Sequence, residues 1–77
     1  MIMNHNKYEV GQPITVLASC DLFYPSIKNP NKLKKTQEPI LGWFVESKDT
    51  TVTILTTDDG SYWETELDSI RHYLETK

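Results

Sequence analysis

The chain has 77 residues, of which 38% are hydrophobic and 25% charged, and its formal charge is −3. These values describe one ordinary globular domain and exclude wholesale disorder; a core of this size holds roughly a dozen side chains and no deep private cavity. The acidic balance weighs against non-specific nucleic-acid binding and against docking on anionic membranes, since both need clustered cations.

Cys20 is the only cysteine, so an internal disulfide and a Cys/His zinc site are both excluded. Domains this small in oxidising compartments usually carry bridges. The first residues lack the apolar run of a signal peptide, and no segment is long enough to span a bilayer. The expected location is cytoplasmic.

Residues 1–9 are polar and read as a flexible tail, with 10–77 as the folded domain; Tyr8 and Val10 are suited to pack on its edge. Gly11-Gln12-Pro13 forms a turn into a first strand over 14–18. Residues 21–38 contain Pro25, Asn29, Pro30, Asn31 and four lysines, which suit neither helix nor strand. That stretch reads as a long first loop, functional or mobile. Pro39 opens a second strand over 40–46, 47–50 turn the chain, and the β-branched run Thr51, Val52, Thr53, Ile54 starts a third strand over 51–57. Asp58-Asp59-Gly60 then leads into a fourth strand over 61–67. An Asp-Gly between two β-prone runs is the strongest short-range hairpin signal. Residues 67–71 read as a single helical turn, followed by a last strand over 72–75.

These elements define an all-β fold: a five-stranded antiparallel SH3-like barrel with a long first loop and a one-turn helix before the last strand. Period-two alternation assigns its faces. Val52 and Ile54 share one face of the third strand, with Thr51, Thr53 and Leu55 opposite. On the fourth, Glu64 and Glu66 belong in water with Tyr62, which turns Trp63, Thr65 and Leu67 inward. Gly42 in mid-strand marks an expected bend or bulge, which so small a barrel needs in order to close.

Val52, Asp59-Gly60 and Leu67-Asp68-Ser69-Ile70-Arg71 follow one another in an order that resembles the ending of Tudor-type and Agenet-like domains, most specifically over 51–75. Gly42-Trp43-Phe44-Val45 stands where those domains carry an aromatic-rich strand. The resemblance implies an SH3-like barrel that reads methylated lysine or arginine in an aromatic cage, held by cation–π attraction of roughly 0.5–2 kcal/mol per contact. Gly11-Gln12 and Gly42-Trp43-Phe44 are also faintly similar to the plasmid-borne type II dihydrofolate reductases, which are SH3-like tetramers. Their Val-Gln-Ile-Tyr run is replaced here by Ser61-Tyr62-Trp63-Glu64-Thr65, so that catalytic likeness fails.

Phe23, Tyr24, Trp43 and Tyr62 are the candidate partner-binding residues, as a cage or as a looser aromatic surface; the alternative is that aromatics such as Phe44, Trp63 and Trp43 are core. Lys28, Lys32, Lys34 and Lys35 are the one positive cluster. They read either as an arm gripping phosphates, with Tyr24 or Phe23 stacking a base, or as plain solvation of a loop. Glu46, Asp49, Asp58, Asp59, Glu64, Glu66 and Asp68 form an acidic side, which is ordinary surface charge or a face for a basic partner.

No catalytic residue, metal site or cofactor is expected. Asp58 and Asp59 are adjacent and point apart, and His5 lies in the tail. His72 could face Glu64 or Glu66, but no nucleophile accompanies it, and Cys20 lacks any catalytic context. The expectation is a small non-enzymatic protein–protein interaction module or regulator, such as a subunit of a complex or a phage-type inhibitor of a host protein. A nucleic-acid-binding barrel using the lysine loop is one alternative, and an oligomeric enzyme with a site on its symmetry axis is another. Exposed edge strands make a homodimer an option.

Overall fold

The computed structural model describes residues 8–73. Seven antiparallel strands run in chain order: β1 (Pro13–Val16), β2 (Asp21–Tyr24), β3 (Lys32–Lys35), β4 (Ile40–Lys48), β5 (Thr51–Thr56), β6 (Tyr62–Glu66) and β7 (Ile70–His72), with a one-turn 3-10 helix over Leu67–Ser69. They form one sheet in the order β3-β2-β6-β5-β4-β1-β7. The all-β antiparallel class is as expected. The five-strand count is not: the stretch read as a long irregular loop contains the β2–β3 hairpin, with only 25–31 as its loop. Among the described residues the sheet also ends in two edges, β3 and β7, instead of closing into a barrel through hydrogen bonds.

The meander β4–β5–β6 holds the centre. Val52, Ile54 and Thr56 of β5 and Trp63 and Thr65 of β6 are buried, and their neighbours along each strand are not, so period-two alternation places both faces as expected. Ile14 and Val16 from β1, Leu22 from β2, Phe44 from β4 and Ile70 from β7 complete the core, and Tyr8 joins it. Tyr8 stacks between Phe44 at 5.5 Å and His72 at 4.4 Å between ring centroids. Residues 1–7 of the expected tail, and 74–77, lie outside the described residues, whereas Val10, expected to pack on the domain's edge, is 77% exposed.

The expected irregularity in β4 lies three residues beyond Gly42. Trp43 pairs with Leu55 and Phe44 with Ile54, then the register slips so that Glu46 pairs with Thr53. Val45 is the extra residue of a β-bulge. Without it, strict alternation from buried Phe44 would turn Glu46 inward; the bulge rotates that carboxylate back to solvent. Gly42 answers a different need, because a Cβ there would sit 3.0 Å from the carbonyl oxygen of Leu55.

The β5–β6 turn is wired by Asp59, whose Oδ1 accepts from the Thr56 hydroxyl (2.9 Å) and the Ser61 N–H (3.0 Å), while Gly60 takes φ +68°. Two further boundaries shift. The helical turn stops at Ser69, and the last strand begins at Ile70, because its ladder is set by β1, with Val16 opposite Ile70 and Ile14 opposite His72. Residues 74 and 75 of the expected last strand lie outside the described residues. No helix among the described residues is long and apolar enough to cross a membrane.

Two substitutions test this frame. Ile54→Ala removes a fully buried side chain of the central strand and should destabilise by about 2–5 kcal/mol. Gly42→Ala should destabilise by about 1–3 kcal/mol, because the new methyl meets ladder backbone that cannot move away. Urea unfolding followed by circular dichroism reads both; a wild-type midpoint for Gly42→Ala would remove the close-approach argument.

Candidate functional site

Cross-strand register assembles an apolar row on the solvent face of the sheet. Pro13 of β1 lies opposite Trp43 of β4, Trp43 opposite Leu55 of β5, and Leu55 opposite Tyr62 of β6. Directly paired residues share a face at roughly 5 Å spacing, so four apolar side chains cross four strands in one line. Trp43 is 37% and Tyr62 53% exposed, although both sit mid-sheet or next to it. Sequence reasoning selected Trp43 and Tyr62 but passed over Leu55 and Pro13. Alternation did set Leu55 on the face opposite Val52 and Ile54; the missing information was the register that sets it between the two aromatics.

The row's end at Tyr62 is also the wall of a pocket of about 280 Å³, lined by Tyr24, Lys32, Ser61, Tyr62 and Trp63. The four aromatic candidates therefore divide. Tyr62 belongs to both features, Tyr24 to the pocket and Trp43 to the row. Phe23 is half-buried and paired with Leu33 on one side and Glu64 on the other, so it belongs to neither. Trp63, assigned to the core, is buried and at the same time lines the pocket, and its indole Nε1 has no hydrogen-bond partner among the described residues.

Two of the aromatic faces already carry cations of the chain itself. The Lys32 ammonium lies 5.9 Å from the Tyr24 ring centroid and the Lys34 ammonium 5.5 Å from that of Trp63. This follows from the hairpin: Lys32 is directly opposite Tyr24, and Lys34 directly opposite buried Leu22, which turns both lysines toward the core side.

The lysines differ in how they are compensated. Lys34 Nζ bonds Asp58 Oδ2 at 2.5 Å and Asp59 Oδ2 at 3.3 Å, and Lys35 pairs with Asp21 at 3.2 Å. Among the described residues, Lys28 and Lys32 have no carboxylate partner. The bond to Asp58 raises the Lys34 pKa against the opposing effect of desolvation. The same bond lowers Asp58. At Asp59 desolvation pushes upward, but the bonds from Thr56, Ser61 and Lys34 together outweigh it and leave the carboxyl below its usual range.

The remaining candidates are structural in placement. His72 does not face Glu64 or Glu66: it stands on β7 at the far side of the sheet, its Nδ1 2.5 Å from Gln12 Nε2, because β7 pairs with β1 and not with β6. Glu64 accepts the Ile27 N–H at 2.6 Å and so anchors loop 25–31. Cys20 is half-buried against the core. Among the described residues no group of three or more His, Cys, Asp or Glu side chains gathers where a metal ion could sit. No protein-family model, curated protein or solved structure matches this chain.

The ion-pair cluster makes a pH prediction. Asp58 and Asp59 titrate lower in the folded chain than in the unfolded one, so their contribution is complete above about pH 4 and is lost as pH falls through the depressed folded values. Lys34 has the opposite sign, complete below about pH 10.5 and lost above it. The side chains are 28–41% exposed, so the cluster is worth about 1 kcal/mol or less. Urea unfolding of wild type and Lys34→Met at pH 7, 4 and 2.5 should show a gap that closes on acidification; a constant gap would mean that Lys34 acts through its stem on Trp63 alone.

Proposed function

We propose that this chain is a small non-enzymatic binding module that recognises a protein partner through the solvent face of its sheet. The observation that carries this reading is the Pro13–Trp43–Leu55–Tyr62 row. Large apolar side chains lined up on an exposed sheet face, next to a pocket, are the composition of an interface core, where aromatic anchors supply most of the affinity. Glu46 and Glu64, both paired with Thr53 in the next row of the same face, and Lys48, paired with Thr51 one row further, line one side of the apolar row and suit a polar rim that sets orientation and on-rate.

The finer fold reading we attach is SH3-like: a meander, a one-turn 3-10 helix and a last strand returning to β1, with the 51–75 resemblance to Tudor-type endings. The ligand reading changes, however. Lys32 and Lys34 stand over Tyr24 and Trp63, where a cage would need bare rings for a methylated cation. A protein partner also fits the charge distribution better than nucleic acid does, because Lys34 and Lys35 are spent on Asp58, Asp59 and Asp21. The single thiol of Cys20 suits a reducing compartment.

Affinity capture from lysate with the tagged chain, in low and high salt and with nuclease, tests the reading. A discrete protein should survive both treatments and be lost with Trp43→Ala and with Tyr62→Ala; stability should change by about 1 kcal/mol or less at Tyr62, the more exposed position, and by about 1–3 kcal/mol at Trp43. Recovery of nucleic acid, with every protein lost after nuclease, would overturn it.

A further inference from the structure

We infer that the β3 edge and the adjoining pocket bind an extended acidic peptide, which adds to the sheet beside β3 and places one carboxylate against Lys32. This deepens the protein-partner reading above and rests on it.

β3 is an edge strand, with β2 on one side and, among the described residues, no strand on the other. An open edge is a template for another strand, and natural edges are usually blunted with lysine against self-pairing. Here Lys32, Lys34 and Lys35 occupy three of the four β3 positions. Pairing two copies through this edge would bring the uncompensated Lys32 of each against the lysines of the other, which disfavours a homodimer built there. A partner strand of opposite charge meets no such barrier, and peptides that add to a sheet edge gain affinity from the main chain and selectivity from side-chain pockets.

The residues at that edge specify the side chains. Leu33, 64% exposed, offers one apolar contact on the outer face. On the other face, Lys32 is the one lysine of β3 without a carboxylate partner among the described residues, and it lines the pocket with Tyr24, Tyr62 and Trp63. A carboxylate entering that pocket meets an exposed cation without a carboxylate partner, set beside aromatic rings, and can form a charge-assisted bond with it. A methylated or free ammonium meets like charge instead. A nucleic-acid strand would carry a phosphate at every step and run into Asp21, Asp58 and Asp59, which flank the same lysines. The site suits one acid among β-prone residues, not a polyanion.

Selection of a random octapeptide display library against the wild-type chain and against Lys32→Glu tests this. Wild type should enrich sequences with Asp or Glu at one position among Val, Ile and Thr, and Lys32→Glu should switch that position to Lys or Arg. The best acidic peptide, synthesised, should weaken on the order of tenfold when its acid becomes the amide, and should shift the backbone amides of β3 most in nuclear magnetic resonance spectra. No enrichment, enrichment of basic residues by wild type, indifference to Lys32→Glu, shifts centred on β7, or displacement by a dT12 oligonucleotide that binds more tightly would each overturn the proposal. Should a captured partner be lost with Trp43→Ala but kept with Lys32→Glu, this inference fails while the binding-module reading stands.

Discussion

The register of the β4–β5–β6 meander is the constraint on which both faces of the molecule depend. Two local devices hold it. Asp59 closes the β5–β6 turn with bonds from Thr56 and Ser61, and the Val45 bulge shifts β4 by one residue between Phe44 and Glu46. A slip of one residue would exchange the faces of a strand, sending Ile54 and Trp63 into water and drawing Leu55 and Glu64 inward. The buried core and the exposed apolar row are therefore two consequences of one register.

The β2–β3 hairpin is attached differently. It meets the rest of the sheet through the single Phe23–Glu64 pairing and is secured by polar ties: Thr65 Oγ1 to the Asp21 carbonyl at 2.8 Å, the Ile27 N–H to Glu64, and Lys34 to Asp58 and Asp59. Leu22 is its one fully buried side chain. Elements held by few apolar contacts and exposed polar bonds sit at the low-stability end of a fold, from which binding surfaces are commonly drawn. The aromatic pocket lies at that junction, with Tyr24 and Lys32 from the hairpin and Ser61, Tyr62 and Trp63 from the meander.

Charge is arranged to the same end. A net charge of −3 conceals a basic strand whose cations are unequally neutralised. Lys34 and Lys35 are consumed within the fold, and Lys32 is left beside aromatic rings. A count of four loop lysines overstates what is available to a ligand.

The meander was legible in the chain because its signals are local. Alternation over 51–56 and 62–66 and the Asp59-Gly60 turn need only neighbours in sequence to act, and they grouped Val52 with Ile54 on one face and turned Trp63 inward. The hairpin was hidden because Lys-Leu-Lys-Lys has no apolar alternation. Its inward positions are filled by lysines whose ammonium groups lie over Tyr24 and Trp63, a solution that exists only once those rings are in place. The partners of His72 and the company of Leu55 were undecided for the same reason, since strand order and register join residues far apart in the chain. The sequence by itself determined an all-β antiparallel domain and the inward faces of its central strands, through short-range periodicity. Tertiary structure alone decided the β2–β3 hairpin, the open edges, and which aromatics stand together, because those follow from pairing across the sheet.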